Sequence, residues 1–514
     1  MKDEARPIPI LVCTLVLVAV IAGLTCARYF SLPVRGASIA ETEFSGQRAF
    51  AALTHVLEGV GAHPVGSLAN ARVRDRLVAS LRALGYEPQV TRTFVCGMHG
   101  ACAFVENILA EREGNDTRNA VLLAAHYDSV PAGQGANDDG LGVAVLLESA
   151  RALRALPKPA HSVLLLLTDG EERGLLGAEA FASENINFTR VRAFVNTEAR
   201  GSSGPSLLFE TSADNAYLIN TIAPSLARPI TSSLFSAIYE RMPNDTDFTV
   251  LKRRGALGAN FAAVGSLAHY HTPLDRLDNV DLGTLQHQGD GAFAAIVALM
   301  NAENLAAPHP GTLVWFDVFG LVVCSYPSWA ALLTAALALL ALLNHCVRMK
   351  RAGVVPVRAI LWGMLAVPAS LLFAALLSFG IAVLAERIGL LPAPWIAHSS
   401  YLLSSLALCA CFAVLLCASL LLGHATAMGL WLGGWLVWSA LALLLAALAP
   451  GASFLLQFRA WLPASLDSRG TRNSRLALFA FSSQRLLPRR VSFGRRCSSC
   501  CRTRLVSPWA QCTD

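Results

Sequence analysis

Histidine and carboxylate residues follow several apolar runs of this chain, at the points where those runs end. His126 and Asp128 follow the run 120–125, and a glycine-rich turn with two aspartates comes soon after. The remaining residues of this kind are Asp138, Asp139, Glu171, Glu172, Glu198 and His271. Imidazole and carboxylate groups bind divalent cations and move protons, so their repeated position indicates a metal or catalytic site.

Gathered in one place, these carboxylates would repel one another unless positive charge lay among them. Two imidazoles with several carboxylates suit Zn²⁺, and a five-ligand set with one bridging carboxylate can hold two ions about 3.5–4 Å apart. Each motif alone has an ordinary explanation: His-x-Asp is often an ion pair or a turn cap, and Glu-Glu is often a solvated helix start. The metal hypothesis therefore depends on the ordered set, which comes from four separate strand ends.

The elements that must position these residues are strands and helices in alternation. Short apolar runs bounded by turn residues predict strands at 120–125, 163–167, 193–195, 206–209 and 257–264. Helical spacing appears at 46–60, 68–85, 142–156 and 175–183. This order predicts an α/β fold with a mixed, mainly parallel sheet sandwiched by helices, which binds ligands beyond the carboxyl ends of its strands.

Six segments of this chain resemble the motifs of metallopeptidase family 28, the co-catalytic di-zinc aminopeptidases. The segments are AAHYDS, GANDDGLG, LLTDGEERGLLGAEAF, FVNTEARG, PNDTDF and YHTPLD. The resemblance covers about residues 45–305 and implies a zinc-exopeptidase-like fold. The version FVNTEARGSSG is most similar to the membrane-bound branch, represented by the vacuolar and endoplasmic-reticulum proteases. Members of that branch also place a non-cytosolic catalytic domain before several spanning helices.

The resemblance implies a metal role for five residues. Asp138 would be the carboxylate that bridges two Zn²⁺ ions. His126 and Glu198 would complete one site, and Glu172 with His271 would complete the other. Glutamate at 198 replaces the commoner aspartate, which keeps the charge and lengthens the side chain.

The resemblance also implies two residues that act beside the metals. Asp128 would orient His126, and Glu171 would be the general base. Because the residue at 139 is acidic as well, an exchange of roles between Asp138 and Asp139 stays open. Tyr239 and Tyr270 are candidates for a hydrogen-bond donor to the oxyanion.

Several long apolar runs predict a membrane protein. Residues 8–27 can span a bilayer and indicate an uncleaved signal anchor within 1–28. Four more spans are expected at 327–345, 359–384, 400–422 and 427–449, and none of them contains Asp, Glu, Lys or Arg. The loop after the first of these carries Arg348, Lys350, Arg351 and Arg358, so the positive-inside rule makes it cytoplasmic. Residues 28–326 would then lie on the other side, in the periplasm or an organelle lumen.

The C-terminal tail accounts for the basic net charge of +6. Residues 459–514 hold eleven arginines and only two acids, so the rest of the chain is slightly acidic and predicts no nucleic-acid partner. The tail could be a patch for nucleic acid or anionic lipid, or a small zinc knuckle. Its lack of any period, and its start soon after the last span, favour a disordered segment or the product of a shifted reading frame.

These observations predict four regions: an anchor at 1–28, a di-zinc peptidase domain at 40–307, four spans within 327–450 and the atypical tail at 459–514. The function they favour is a membrane-anchored zinc aminopeptidase that acts on peptides. The alternatives are a glutaminyl-cyclase-type transferase and a non-catalytic binding protein on the same fold. A transporter is disfavoured because the spans lack the buried charge that ion pathways usually need.

Overall fold

The computed structural model describes residues 7–29, 31–97, 100–389, 399–421 and 425–456. The predicted tail at 459–514 and the first six residues of the predicted anchor lie outside this part of the chain. The helices before residue 327 are α1 (Pro7–Tyr29), α2 (Gly46–Leu57), α3 (Leu68–Ala83), α4 (Gly140–Ala155), α5 (Leu176–Glu184), α6 (Ala216–Ile222), α7 (Ser233–Tyr239), α8 (Asp247–Arg253) and α9 (Leu282–Met300).

A seven-stranded sheet forms the centre of the structure. Its strands are β1 (Gln89–Cys96), β2 (Cys102–Arg112), β3 (Asp116–His126), β4 (His161–Thr168), β5 (Val191–Ala199), β6 (Ser203–Thr211) and β7 (Leu257–Gly265). The order across the sheet is β1-β2-β4-β3-β5-β7-β6. The four strands β4, β3, β5 and β7 are parallel, whereas β1, β2 and β6 run antiparallel to their neighbours. The predicted mixed sheet with a parallel centre is confirmed.

Helices cover both faces of the sheet. Successive side chains of a strand point to opposite faces, so each central strand contributes to two cores. On β3, Val121, Leu123 and Ala125 belong to the core that includes side chains of α2, α4 and α9. The alternate residues of β3 pack in a second core with Phe181 of α5 and Phe248 of α8. The predicted sandwich of helices around a sheet is therefore confirmed, and it explains why these strands are continuously apolar.

Sequence patterns did not reveal the hairpin β1–β2 or a second hairpin, β8 (Leu313–Val318) with β9 (Val322–Pro327). Most of β1 is exposed and its polar residues alternate with only a few apolar ones, so it lacks the run that marks a buried strand. Cys96 and Cys102 face each other across β1 and β2 and form a disulfide.

The membrane region contains α10 (Ser328–Arg351), α11 (Val357–Arg387), α12 (Ser399–Leu421) and α13 (Ala427–Leu448). Within the described residues, these four helices are long and apolar enough to cross a membrane, as the sequence predicts. Helices α11 and α13 approach closely at glycines: a Cβ on Gly433 would lie 2.1 Å from the carbonyl oxygen of Ile360.

Several contacts join the membrane helices to the base of the sheet domain. Arg228 donates from Nη2 to the carbonyl oxygens of Ala27 and Arg28 at the end of α1. Ser233 Oγ lies 2.8 Å from the carbonyl oxygen of Gly451, just after α13. Strand β9 continues directly into α10.

Candidate metal centre

The carboxyl ends of neighbouring parallel strands bring the predicted site residues together. His126 is the last residue of β3, Glu198 is the penultimate residue of β5, and β4 ends just before the turn that carries Glu171 and Glu172. Strand β3 lies between β4 and β5, so these three ends meet at one edge of the sheet. His271 reaches the same edge from the loop that follows β7.

The cluster has two halves that share Asp138. The first half consists of His126, Asp138 and Glu198, and it is buried. Nε2 of His126 lies 3.3 Å from Oδ1 of Asp138 and 3.8 Å from Oε2 of Glu198. The side chain of His126 is 1% exposed, and Asn196 donates to Oε1 of Glu198 over 3.3 Å. The hydrogen bond from Asn196 holds the longer glutamate side chain toward the cluster.

The second half consists of His271, Asp138 and Glu172, and the side chain of His271 is partly exposed to solvent. Nε2 of His271 lies 3.1 Å from Oδ2 of Asp138 and 3.1 Å from Oε2 of Glu172. Asp138 therefore uses a different carboxylate oxygen toward each histidine. This is the arrangement that a bridging ligand requires.

Asp139 lies near the same atoms, and its ligand oxygen is within 4.8 Å of those of His126 and Glu198. Both of its oxygens have backbone partners, however. Oδ1 accepts the N–H of Gly142 as the N-cap of α4, and Oδ2 accepts the N–H of His126. A Cβ on Gly142 would lie 2.2 Å from Oδ2 of Asp139, so the cap requires glycine there. These contacts favour Asp138 as the shared ligand.

Asp128 connects the two predicted catalytic segments. Its Oδ1 lies 3.5 Å from Nδ1 of His126 and accepts the backbone N–H of Glu171 over 2.9 Å. Its Oδ2 accepts the N–H of Glu172 over 3.3 Å. The orienting role of Asp128 stays a prediction, and the contacts that hold the Glu171–Glu172 turn were not foreseen from the sequence.

Asp275 was missed as a functional residue, although it ends the quoted segment YHTPLD. It is buried and accepts hydrogen bonds from the backbone N–H groups of Asn137 and Asp138 and from the side chain of Asn137. These bonds fix the backbone of Asp138. Its position four residues after His271 was the available sequence signal.

The electrostatics of the cluster are those of carboxylates crowded in a buried place. Burial, with the neighbouring Asp138 carboxylate, raises the pKa of Glu198 to about 8 and that of Glu172 to about 7. Burial also raises the pKa of Glu171 well above its ordinary value, with the charge of Glu198 adding to the shift. Cations bound at this position would offset the repulsion between the carboxylates and would lower the pKa values of Glu172 and Glu198 again.

Two buried atoms of the cluster support a metal site. Nε2 of His126 and Oε1 of Glu172 have no hydrogen-bond partner within the described part of the chain. Leaving such atoms unpaired is costly, and both are donor atoms that Zn²⁺ accepts as ligands. The residues present therefore fit a divalent metal centre.

The two tyrosine candidates differ in their position. Tyr270 stacks on the ring of His271, with 3.7 Å between the ring centroids. Tyr239 packs edge-on against Phe209. Burial, with the nearby carboxylates, raises the pKa of both phenols, so each keeps the proton that a hydrogen-bond donor needs.

Comparison with known proteins finds that part of this chain is similar to one described family. Residues 107–296 match the family model "Peptidase family M28". The chain is 32% identical over 232 residues to "Endoplasmic reticulum metallopeptidase 1" of Mus musculus, an alignment that covers 44% of this chain and 26% of that protein. It is also 32% identical over 236 residues to "Vacuolar membrane protease" of Candida albicans (strain WO-1), covering 45% and 28% of the two chains. The aligned region thus spans about a quarter of the length of these curated relatives.

A solved structure similar to this chain is that of BSAP, a zinc aminopeptidase from Bacillus subtilis. The TM-score is 0.41 and the sequence identity is 16%, with 53% of this chain and 98% of that chain covered.

Proposed function

We propose that this chain, which carries a peptidase family M28 domain at residues 107–296, is a membrane-bound zinc metallopeptidase of the aminopeptidase type. The observation that carries the proposal is the position of Asp138, whose two oxygens lie 3.3 Å and 3.1 Å from the Nε2 atoms of His126 and His271. The peptidase domain would span residues 40–307, with the anchor at 1–28 and the spans within 327–450.

The ligand roles follow from the two halves of the cluster. His126, Asp138 and Glu198 would hold one Zn²⁺, and Asp138, Glu172 and His271 would hold the second. When bound, the pair of ions would lower the pKa of a water and polarise the carbonyl of the scissile bond.

The protein's own groups would then handle the proton. Glu171 would accept the proton of the attacking water on its carboxylate and later donate it to the leaving amine, since burial raises its pKa above that of an ordinary glutamate. Asp128 keeps Glu171 in place through its backbone N–H. Tyr270, which stacks on His271, would donate a hydrogen bond from its hydroxyl group to the developing oxyanion.

The proposed orientation puts the catalytic domain on the non-cytoplasmic side, in the periplasm or an organelle lumen. The basic residues Arg348, Lys350 and Arg351 close α10, and Arg358 lies in the first turn of α11, so the loop between these helices is cytoplasmic by the positive-inside rule. The Cys96–Cys102 disulfide supports an oxidising compartment for the domain.

The proposal is tested on the full chain purified in detergent. Bound zinc is counted, and hydrolysis is measured with peptides that have free or blocked N-termini, with and without a chelator. We expect two zinc ions per chain, cleavage of free N-termini only, and a loss of about 10²–10⁴-fold in kcat for Glu171→Gln with zinc retained. The matched control Glu87→Gln changes an exposed glutamate and keeps full activity.

Other outcomes would refute parts of the proposal. Cleavage of blocked peptides would contradict exopeptidase action. Cyclisation of N-terminal glutamine with one zinc per chain would favour a transferase. Zinc binding without any turnover would favour a binding protein.

A further inference from the structure

A second cavity lies apart from the metal cluster, at the base of the sheet domain. Its volume is about 150 Å³, and its walls come from β6, β7, α9, the loop 226–230 and the chain after α1. No residue of the metal cluster lines it. A cavity of this volume can hold a group about as large as benzene.

The floor of this basal cavity is apolar. Leu208, Leu226, Ile230 and Phe261 line it, and each of these side chains is buried. An apolar surface of this kind stabilises a ligand that brings hydrocarbon out of water.

Two residues that line the cavity carry a buried polar atom without a hydrogen-bond partner in the described chain. Ser206, 2% exposed, and Arg228 both line the cavity. Oγ of Ser206 and Nε of Arg228 are buried and make no hydrogen bond to any described residue. Both atoms can donate a proton to an anionic oxygen.

The charges around the cavity favour an anion. Arg228 is close enough to Arg28 that the like charge, after burial, lowers the pKa of Arg228. Arg35 is paired with the only acid of the lining, Asp290, over 3.4 Å. His287 is neutral, because burial lowers its pKa to about 4, and its ring nitrogens bond to the backbone of Ser206 and Arg228. The charge of Asp290 also acts on Arg228, so the lining sets two arginines, Arg35 and Arg228, against one carboxylate.

The position of the cavity is next to the membrane helices. Arg228 bonds to the last carbonyls of α1, and Arg28 in the last turn of α1 bonds to the carbonyl oxygens of Ala227 and Gly320. Gly320 lies in the turn of the hairpin that leads into α10. The cavity therefore lies at the end of the sheet domain to which α1 and α10 attach.

We propose that the basal cavity binds an amphiphilic anion, a phosphate or carboxylate that carries an apolar chain, with the anion on Arg228 and Ser206 and the chain over Leu208 and Phe261. This site is separate from the peptidase activity and does not depend on it. The chemistry is shared by an anionic lipid of the bilayer and by a free fatty acid.

The test uses the full chain in a neutral detergent, with thermal unfolding and native mass spectrometry as readouts. The probes are lysophosphatidic acid, oleate, zwitterionic lysophosphatidylcholine and inorganic phosphate. We expect both acidic amphiphiles to bind and to raise Tm, and the other two probes to leave it unchanged. Equal binding of lysophosphatidylcholine or of inorganic phosphate would overturn the proposal.

Variants locate the site. Arg228→Gln is expected to weaken binding about tenfold or more, because it removes a charge-assisted hydrogen bond. Since Arg228 also holds α1, Ser206→Ala provides a milder change, with binding weakened severalfold and Tm without ligand unchanged. Leu226→Trp fills the cavity and should abolish binding. The control Arg118→Gln, at an arginine whose side chain is 92% exposed, should bind as the unaltered chain does. Unchanged binding in the first three variants would contradict the proposal.

The source of the ligand is distinguished by reconstitution in phosphatidylcholine nanodiscs that contain both phosphatidic acid and oleate. Retention of phosphatidic acid after transfer to detergent, lost in Ser206→Ala, supports a bilayer lipid. Retention of oleate alone, lost in the same variant, supports a free fatty acid.

Discussion

The two halves of the metal cluster are built differently, although they share Asp138. His126 ends a central strand, is 1% exposed, and has Asp128 against its second ring nitrogen. His271 lies on a loop with a left-handed backbone (φ 56°), is 38% exposed, and stacks on Tyr270. The sheet thus fixes one half before any metal arrives, whereas the other half is open to solvent and to an incoming peptide.

The carboxylates show the same difference. Glu198 lies within β5 and receives a hydrogen bond from Asn196. Glu172 lies on a short turn after β4, and its Oε1 has no partner in the described chain. We expect the His126 half to bind metal more tightly and to support the fold, and the His271 half to exchange metal and substrate.

The largest effect should come from the residue that the halves share. Asp138→Asn is expected to reduce bound zinc from two ions to none and to lower kcat/KM by about 10³-fold or more, because both sites lose a charged ligand. Metal analysis and peptide hydrolysis measure the two results. Asp139→Asn is the matched control, since asparagine also caps helices well and should keep both ions. The reverse pattern would assign the bridging role to Asp139.

The next comparison removes one histidine from each half. His126→Ala and His271→Ala should each lose one zinc ion and most activity. Only His126→Ala should also lower Tm of the metal-free chain by several degrees, because it leaves buried carboxylates without their partner. Calorimetry of chelator-treated samples measures the difference. Equal values of Tm for the two variants would contradict the asymmetry.

A smaller effect is expected from the residue behind His126. Asp128→Asn should weaken zinc binding about 10–100-fold, because it removes the carboxylate that orients the imidazole. A chelator competition titration measures this, and the loss should fall on the tighter of the two ions. A loss confined to the weaker ion would place Asp128 with the His271 half.

The smallest effect concerns the metal-free chain as pH changes. The folded pKa values of Glu198 (about 8) and Glu172 (about 7) lie above the ordinary 4.5, and that of His271 (about 9) lies above 6.5, raised by Asp138 and Glu172 against the effect of burial. The folded chain then holds more protons than the unfolded chain from pH 4.5 to 9, so stability falls as pH rises through this window.

Thermal unfolding at several pH values, with chelator present, measures that trend. Glu198→Gln should flatten the slope between pH 4.5 and 8. Saturating zinc should reverse the slope over the same range, because metal binding releases protons. A metal-free Tm that rises with pH would sink the prediction.

Much of the fold could be predicted from the sequence, because the spacing of apolar residues and the turn residues at strand ends are signals within short segments of the chain. The runs at 120–125 and 163–167 fall within β3 and β4, and the helical spacing at 46–60 and 142–156 matches α2 and α4 within a few residues. The predicted spans likewise match α10 to α13. The hairpins were missed because a half-exposed strand carries no continuous apolar run.

The site was predicted as a set of side chains, and the structure brings all five expected ligands together. The backbone contacts of Asp128 and Asp275 were not predictable in the same way. Asp128 accepts an N–H group 43 residues away in the sequence, and Asp275 accepts one 138 residues away. Sequence spacing does not indicate which N–H group a carboxylate accepts over such separations. The ligand and base roles themselves stay predictions until the variants are measured.

The contacts of Arg228 with α1 and of Ser233 with the chain after α13, together with the direct passage of β9 into α10, attach the sheet domain to the membrane helices at three points. In the proposed membrane orientation, these attachments would fix the distance between the metal cluster and the lipid surface. That distance would set how far the end of a peptide must project from the surface to reach the cluster.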